Sequence, residues 1–227
     1  MSATRIGIKA ILFDLDMTLL NRDASLRACL AGQHERLHSL LGHISPKTYV
    51  ERFAELDNKG YRTKEFCYGR LIAEFGISGI DEDELTADYR ATFQDHCVGF
   101  AGLTEMLDGL QAAGYKLGMI TNGRFPFQLL NVQALGIEQY FETILVSEKE
   151  QCRKPEAVIF ERALVQMGVD AETAVFVGDN PEADVRGAQN VGMRGVWKRT
   201  AHWGSCPHAN AKIGDLSELL SVVEGFG

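Results

Sequence analysis

A pair of aspartates, Asp14 and Asp16, directly follows the short apolar run Ile8 to Phe13 near the start of the chain. Residues two apart on an extended chain point to the same side, so the two carboxylates should lie next to each other. Adjacent carboxylates repel each other unless a cation or a shared proton offsets their charge. The pair therefore indicates a site for a cation or for proton exchange, although a polar loop can also contain two acids by chance.

A hydroxyl group and an Asn-Gly pair end a second apolar run, Leu117 to Ile120, in the stretch Thr121-Asn122-Gly123. The hydroxyl group and the free backbone N–H groups at such a point can donate hydrogen bonds to phosphate oxygens. Taken alone the stretch is a weak signal, because Asn-Gly after a strand is usually only a turn.

A lysine and a proline, Lys154-Pro155, follow the apolar run that ends near Val146. Proline fits the first turn of a helix, where its missing N–H group costs little. This predicts Lys154 at the entrance of a helix, where its ammonium group can neutralise charge between a carboxylate and a phosphoryl group. Considered alone, an exposed lysine before a helix is the favoured interpretation.

Two more aspartates, Asp179 and Asp184, follow the apolar run Ala174 to Val177 in the stretch GDNPEAD. Asn180 is typical of an N-cap, and Pro181 is typical of the first helical position. Mg²⁺ binds in proteins through one or two carboxylates together with water and substrate phosphate. The two acids are therefore candidate metal ligands, but Asp184 could equally offset the dipole of the predicted helix.

The polar stretches follow short apolar runs that are rich in β-forming residues. The predicted strands are Ile8–Phe13, Leu117–Ile120, Thr143–Val146, Ala174–Val177 and Gly195–Trp197. Helical patterns alternate with them at Leu103–Ala113, Phe125–Leu135, Glu156–Met167, Pro181–Val191 and Asp215–Val223. Uninterrupted apolar runs are typical of strands that are buried on both faces, as in parallel sheets. The alternation predicts an α/β fold with a doubly wound, Rossmann-like parallel sheet, whose carboxyl edge carries the site.

One region, from about Ala24 to Cys97, contains no convincing strand. It shows helical patterns at Ser25–Leu41, Pro46–Asn58, Lys64–Phe75 and Glu82–His96. We interpret it as an all-helical domain inserted after the first strand. The predicted boundaries are residues 1–20 and 98–227 for the Rossmann-like core, and residues 21–97 for the inserted helical domain.

The 227 residues carry a formal net charge of −8, whereas nucleic-acid binding needs a clustered basic surface. We therefore expect a small anionic substrate and no nucleic acid. No apolar stretch reaches transmembrane length, and the N-terminal run is too short for a signal peptide, so we expect no membrane association. The five cysteines include no C-x-x-C pair and fit reduced thiols, which favours a cytoplasmic protein.

The four chemical stretches occur in a fixed order, and together they resemble the four motifs of the haloacid dehalogenase superfamily of hydrolases. The matching sequences are FDLDMT, ITN, KP and GDNPEAD. The resemblance extends over nearly the whole chain, and the helical insertion after the first motif is similar to the smaller helical cap class of that superfamily. The resemblance implies a Mg²⁺-dependent enzyme that forms an aspartyl-phosphate.

The resemblance also implies a role for each motif residue. Asp14 would be the nucleophile, and Asp16 the general acid and base. The implied phosphate-binding residues are Thr121, Asn122 and the catalytic Lys154. The implied ligands of Mg²⁺ are Asp14, the backbone carbonyl of Asp16, Asp179 and, directly or through water, Asp184.

The acid at position 16 separates two branches of the superfamily. Cleavage of a carbon–halogen bond releases halide, which needs no proton donor, and dehalogenases similar to this chain lack an acid at that place. Phosphate esters release an alkoxide, which needs a proton. Asp16 therefore indicates a phosphatase, a hydrolase of phosphomonoesters. We expect it to act on a small phosphorylated metabolite, such as a nucleoside monophosphate, a sugar phosphate or a phosphorylated acid.

Met17 stands where Gly or Asn often follows the second aspartate in this superfamily. Glycine would allow a positive φ, which a bulky residue resists. We therefore expect Met17 to adopt an ordinary backbone conformation, with its side chain packed near the cap.

Alternatives to a phosphatase are also open. A phosphomutase of the same fold would keep the same residues, whereas a non-catalytic binding or regulatory homologue would be expected to have lost some of them. The stretch from His34 to His38 fits the H-E-x-x-H zinc pattern, but His34 lies on an apolar helical stripe and no strong third ligand follows. His202, Cys206 and His208 lack the spacing of a zinc site, so we expect a surface loop there.

Overall fold

The computed structural model of the chain describes residues 7–226, and these divide into two compact units. The core unit comprises the residues up to Asn21 and from Gly99 onward, and the helical unit comprises Arg22–Val98. The divisions at 21/22 and 98/99 lie within one residue of the boundaries that the sequence predicts.

The core unit contains a six-stranded sheet in which every neighbouring pair of strands is parallel. The strands are β1 (Ala10–Phe13), β2 (Lys116–Thr121), β3 (Thr143–Val146), β4 (Ala174–Gly178), β5 (Arg194–Lys198) and β6 (Ala211–Ile213). Their spatial order is β3-β2-β1-β4-β5-β6, which is a doubly wound arrangement. The predicted α/β fold with a parallel, Rossmann-like sheet is therefore confirmed.

The carboxyl ends of β1, β2 and β4 lie next to one another in the sheet. Phe13 at the end of β1 pairs with Met119 of β2 on one side and with Val177 of β4 on the other. The backbone N–H of Asp14 then donates to the carbonyl of Val177 at 2.9 Å. The residues that follow these three strands are thereby brought together at one edge.

The helical unit consists of five α-helices whose starts are fixed largely by side-chain caps. These are α1 (Arg22–Arg36), α2 (His38–Leu41), α3 (Pro46–Asp57), α4 (Lys64–Phe75) and α5 (Glu82–Thr92). Ser45, Thr63 and Asp81 each accept a backbone N–H of the following turn, at 3.1, 3.2 and 2.8 Å. The predicted helix Ser25–Leu41 is divided at Leu37 into α1 and α2.

The described part of the core unit contains six further α-helices, five of which precede a later strand, whereas α11 follows the last strand, β6. They are α6 (Leu103–Ala112), α7 (Phe127–Ala134), α8 (Ser147–Glu150), α9 (Ala157–Met167), α10 (Gly187–Asn190) and α11 (Leu219–Glu224). The predicted helix Pro181–Val191 is divided into a π-helical turn, Pro181–Arg186, followed by α10. Asn180 caps the π-helical turn by accepting from the backbone N–H groups of Glu182 and Ala183 at 3.0 and 2.9 Å.

The hydrophobic core of this unit lies between the sheet and α9. Phe160 of α9 and Phe176 of β4 are fully buried and meet edge to face, with ring centroids 5.2 Å apart. Every residue of β1 and β4 is buried, which explains their uninterrupted apolar sequences. Among residues 7–226, no helix combines the length and apolar composition that crossing a bilayer requires.

Candidate active site

Asp14 lies directly after β1 and forms a short ion pair with Lys154, with 2.6 Å between Oδ1 and Nζ. The same ammonium group reaches Oδ1 of Asp184 at 2.7 Å. All three side chains are buried. Thr18 donates from its Oγ1 atom to Oδ2 of Asp14 at 3.3 Å. The structure therefore brings residues of the first, third and fourth motifs into direct contact.

A cluster of three buried carboxylates lies at this edge of the sheet. One oxygen each of Asp14, Asp179 and Asp184 lies within 4.8 Å of the other two. Burial raises the pKa of Asp14 well above its usual value, and Asp184 and Asp179 add to this against the attraction of Lys154. Burial and the charge of Asp184 raise the pKa of Asp179 to about 7. One lysine does not balance three carboxylates, so the cluster favours an additional positive charge.

Both oxygens of Asp184 are engaged by neighbouring groups. Oδ1 pairs with Lys154, and Oδ2 accepts the backbone N–H of Asn180 at 2.9 Å. The absence of a side chain at Gly178 is required here, because a Cβ atom at that position would overlap the carboxyl group of Asp184. Asp184 is therefore held against the end of β4 by its own turn.

Asp179 is held by the segment that follows β5. Its Oδ2 atom accepts hydrogen bonds from Oγ1 of Thr200 at 3.2 Å and from Nε1 of Trp203 at 3.1 Å. Its backbone carbonyl accepts from Nε1 of Trp197 at 2.6 Å. The two donors on Oδ2 orient the carboxylate and leave Oδ1 to face other groups.

Asn122 uses both ends of its side-chain amide to bind the backbone of Lys154. Its Nδ2 atom donates to the carbonyl of Lys154 at 3.0 Å, and its Oδ1 atom accepts the N–H of Lys154 at 3.0 Å. This bracket fixes Lys154 before the next helix begins. The prediction that Pro155 occupies the first turn of that helix is wrong, because Glu156 is the N-cap of α9 and Pro155 precedes it.

Thr121 and Asp16 are linked by a residue that the sequence analysis did not single out, Gln128. Its Nε2 atom lies 3.0 Å from Oγ1 of Thr121 and 2.9 Å from Oδ2 of Asp16. Among the described residues, the carboxylate of Asp16 is not a member of the three-carboxylate cluster. The two aspartates of the first motif therefore lie in different surroundings, one paired with a cation and one with an amide.

Met17 does not adopt the ordinary conformation that we expected, because its φ angle is 61°. The loop after Asp16 is tight: Met17 N donates to the carbonyl of Leu20 at 2.8 Å, while Leu19 N and Leu20 N both donate to the carbonyl of Leu15 at 2.9 Å. A left-handed residue costs about 1 kcal/mol for a side chain larger than glycine. Burial of the methionine side chain offsets this cost.

The two other candidate metal sites, the stretch from His34 to His38 and the cluster of His202, Cys206 and His208, contain side chains that contact other protein groups. Nε2 of His34 lies 2.8 Å from the carbonyl oxygen of Ile44, so this buried histidine is used within the helical unit. In the other cluster, residues 201–210 form a loop as expected, and all of them are exposed or partly exposed except Cys206, which is fully buried. Its Sγ atom lies 3.4 Å from Nε2 of His208, and the cysteine packs against Trp197.

Sequence reasoning missed three residues of the site: Gln128, Thr200 and Trp203. For Gln128 a signal existed, because Gln128 and Asn131 are polar residues three apart, on one face of a helical stretch that is otherwise largely apolar. Both are buried, and they bond to each other. For Thr200 and Trp203 no local signal existed, because their partner Asp179 lies more than one element away.

Comparison with known proteins agrees with this arrangement. The family model described as haloacid dehalogenase (HAD)-like hydrolase matches residues 11–198. The chain is 30% identical over 229 residues to the glyceraldehyde 3-phosphate phosphatase of Pyrococcus abyssi, covering 96% of this chain and 94% of that protein. It is 27% identical over 206 residues to the pyrimidine 5′-nucleotidase PynA of Streptococcus pneumoniae, covering 86% and 85% of the two chains.

A solved structure extends the similarity to the whole fold. The crystal structure of a HAD phosphatase from Thermococcus onnurineus superposes with a TM-score of 0.67 at 29% identity, and the match covers 96% of this chain and 99% of that chain. The family match spans most of the chain, and the relatives are phosphatases. The chain therefore belongs to the haloacid dehalogenase-like hydrolases and is an enzyme of their phosphatase branch.

Proposed function

We propose that this phosphatase hydrolyses a small phosphomonoester through an aspartyl-phosphate formed on Asp14. The observation that carries the proposal is the buried pair of Asp14 Oδ1 and Lys154 Nζ, 2.6 Å apart at the carboxyl edge of the sheet. A bare carboxylate would repel an approaching phosphate. The ammonium group offsets that repulsion and leaves the carboxylate available as a nucleophile.

The proposed reaction has two displacements at phosphorus. In the first, an oxygen of Asp14 bonds to phosphorus while the ester P–O bond breaks, and the electron pair stays on the ester oxygen, which takes a proton from Asp16. In the second, water attacks phosphorus, Asp16 takes a proton from the water, and the bond to Asp14 breaks. One ester and one water give one alcohol and one inorganic phosphate, and both aspartates are restored.

Phosphoryl oxygens need donors during both displacements. Lys154 and the hydroxyl group of Thr121 are the proposed donors, because Lys154 contacts Asp14 directly and Thr121 ends β2, the strand next to β1. The side chain of Asn122 is engaged with the backbone of Lys154. We therefore assign its proposed contribution to phosphate binding to the position of Lys154 rather than to a direct amide contact.

A divalent cation, which we propose to be Mg²⁺, fits the donor set of the site. The proposed ligands are Asp14, Asp179 and the backbone carbonyl of Asp16, and oxygen donors of this kind are those that Mg²⁺ prefers. The raised pKa values of Asp14 and Asp179 support a place for positive charge. Both oxygens of Asp184 are already engaged, which favours its contact through water. When bound, the ion would offset charge on the phosphoryl group.

The proposed substrates are small phosphorylated metabolites, such as a nucleoside monophosphate, a sugar phosphate or a phosphorylated acid. The names of two relatives support this class, since one acts on glyceraldehyde 3-phosphate and the other is a pyrimidine 5′-nucleotidase. These substrates share a phosphomonoester and differ in the alcohol. The core unit would handle the shared phosphate in every case.

Phosphate release from a panel of such esters tests the proposal. We expect release that depends on Mg²⁺, and a loss on the order of 10⁴-fold in kcat for Asp14→Asn. Asp170→Asn, a change at an exposed aspartate of the same unit, should leave release unchanged. Calorimetric titration with Mg²⁺ gives a readout that is independent of turnover. Release that survives Asp14→Asn would refute the mechanism, and a net shift of the phosphoryl group to another hydroxyl of the same metabolite without release would indicate a phosphomutase.

A further inference from the structure

Gln128, the second residue of α7, is buried at 3% exposure and has three acceptors around its amide nitrogen. Nε2 lies 2.9 Å from Oδ2 of Asp16, 3.0 Å from Oγ1 of Thr121 and 3.2 Å from the carbonyl oxygen of Asn122. These partners belong to the first and second motifs. One side chain from a helix therefore joins the ends of β1 and β2.

The orientation of this amide is fixed by its partners. The carbonyl of Asn122 can only accept, so the atom facing it must be the nitrogen. At the other end, Oε1 of Gln128 accepts from Nδ2 of Asn131 at 3.0 Å. Both ends of the amide thus have hydrogen-bond partners. A flipped amide would place its oxygen against the carboxylate of Asp16 and the carbonyl of Asn122, which can only accept.

Gly123 makes room for this side chain. A Cβ atom at position 123 would lie 2.7 Å from Cγ and 2.9 Å from Nε2 of Gln128, closer than real side-chain contacts allow. The glycine of the second motif therefore has a specific function in the fold, which is to let Gln128 reach Asp16. The contact between Gln128 and Asp16 therefore depends on the glycine of this stretch, and it is made by a buried side chain.

We propose that Gln128 is the positioning residue for the proton-exchanging aspartate, Asp16. Because Nε2 can only donate, Oδ2 of Asp16 must accept, so the exchanged proton is carried by Oδ1. The same amide donates to Oγ1 of Thr121, which leaves the hydroxyl hydrogen of Thr121 to point elsewhere and be given to a phosphoryl oxygen. Gln128 thus sets the direction of hydrogen bonding at both residues.

This inference rests on the proposed function, and leaving groups of different basicity test it. An alkyl alcohol leaves as a strongly basic alkoxide and needs its proton, whereas p-nitrophenolate leaves without one. The quantity to compare is kcat/KM, because it reports the first displacement, in which the alcohol departs. A carboxyl group that is no longer aimed at the leaving oxygen should therefore slow alkyl esters selectively.

Gln128→Met keeps the approximate size of the side chain and removes the amide. We expect kcat/KM for an alkyl phosphate to fall about 10- to 100-fold, and that for p-nitrophenyl phosphate to fall no more than about threefold. Gln128→Glu opposes a carboxylate to Asp16 and should give a larger selective loss, which provides the readout if the methionine variant does not fold. Gln133→Leu, at an exposed glutamine of the same helix, should behave as wild type.

Asp16→Asn separates failure of this inference from failure of the proposed function. If Asp16→Asn shows the selective loss and the Gln128 variants lower both esters equally or not at all, Gln128 is a packing residue and the inference is wrong. If Asp16→Asn shows no selective loss, Asp16 does not donate the proton. In that case the proposed role of Asp16 is overturned, and the inference with it.

Discussion

Lys154 is the residue on which the charge balance of the site depends. Burial lowers the pKa of a lysine, but the charges of Asp14 and Asp184 outweigh burial here and raise the pKa of Lys154 above its usual value. The side chain therefore remains a cation although it is buried. Its position between two carboxylates also means that its removal would leave both without their cationic partner.

We predict that Lys154→Met lowers kcat by about 10²- to 10³-fold, because charge on the phosphoryl group is no longer offset. Methionine keeps much of the length of the lysine stem, so packing changes least. The measurement is steady-state phosphate release at saturating ester and Mg²⁺. Lys212→Met, an exposed lysine of β6, is the matched control and should be neutral. An unchanged kcat in Lys154→Met would contradict the proposed role.

Single residues of the site differ in how far the sequence predicts them. Asp14 and Thr121 directly follow an apolar run, and Asp179 follows one after a single glycine, so the end of a strand already places them at the edge of the sheet. Gln128 lies 112 positions from Asp16, and only the packing of α7 brings the two together. The φ angle of Met17 was wrongly predicted, because the backbone bonds of its loop outweigh the steric preference of its side chain.

The segment after β5 is the element that orients Asp179, through donors from Thr200 and Trp203. Groups that orient a metal ligand typically change metal affinity 10- to 100-fold when they are removed. We predict that Trp203→Phe weakens Mg²⁺ binding about 10-fold, and that Thr200→Val acts in the same direction. Calorimetric titration measures the dissociation constant without turnover.

Ser205→Ala is the control for that titration, because Ser205 is exposed in the same segment. It should bind Mg²⁺ as wild type does. Equal affinities for wild type and Trp203→Phe would show that the tryptophan does not orient the proposed ligand.

Three helix ends of the helical unit meet at one buried carboxylate. Asp57 at the end of α3 pairs with Arg22, at the start of α1, at 2.8 Å, and with Lys64, at the start of α4. It also accepts the backbone N–H of Gly60 at 2.8 Å. Burial would raise the pKa of Asp57, but the charges of Arg22 and Lys64 outweigh burial and lower it. The carboxylate thus ties three helices together in its ionised form.

We predict that Asp57→Asn lowers the free energy of unfolding by about 3–5 kcal/mol at neutral pH, because it removes the negative charge that pairs with two partly buried cations. The folded-state pKa lies below the unfolded value of about 3.9, so the contribution is complete above that pH and is lost as pH falls through the folded-state pKa. Urea unfolding at neutral and acidic pH should show the difference from wild type shrinking in acid.

Asp83→Asn is the matched control, since Asp83 is exposed in the first turn of α5. It should change the free energy of unfolding by no more than about 0.5 kcal/mol. A loss for Asp57→Asn as small as that of the control would show that the three helix ends do not depend on this carboxylate.

The strands that could be predicted are those whose burial requires an apolar sequence. β3 was predicted with its observed bounds, and β1 and β4 within two residues, because strands covered on both faces have uninterrupted apolar sequences. β6 was not predicted, since three residues at the edge of a sheet carry too short a pattern. The π-helical turn was not predicted either, because no side-chain periodicity distinguishes it from the start of an α-helix.

At the scale of the whole molecule, the parallel sheet explains why residues from four distant stretches meet. β1 is central, with β2 and β4 on its two sides. Because all the strands are parallel, the residues that follow each of them lie at the same edge of the sheet. This arrangement follows from the alternation of strands and helices and could be predicted from the sequence. The identity of the substrate could not, because the proposed chemistry of the core unit concerns the phosphate that all candidate substrates share.

The most direct test of the account is to trap the phosphorylated enzyme. Asp16→Ala should still accept a phosphoryl group from p-nitrophenyl phosphate, which needs no proton on its leaving oxygen, but should release it slowly because water is no longer activated. The reaction is quenched in acid after a short incubation, the protein is digested, and the masses of its peptides are measured by mass spectrometry. We predict an added phosphoryl group on Asp14 that is absent from the Asp14→Asn, Asp16→Ala double variant. The central claim would be contradicted if Asp16→Ala turned over the ester without any phosphoryl group on Asp14. Phosphorylation of Asp16→Ala at another residue would contradict it as well.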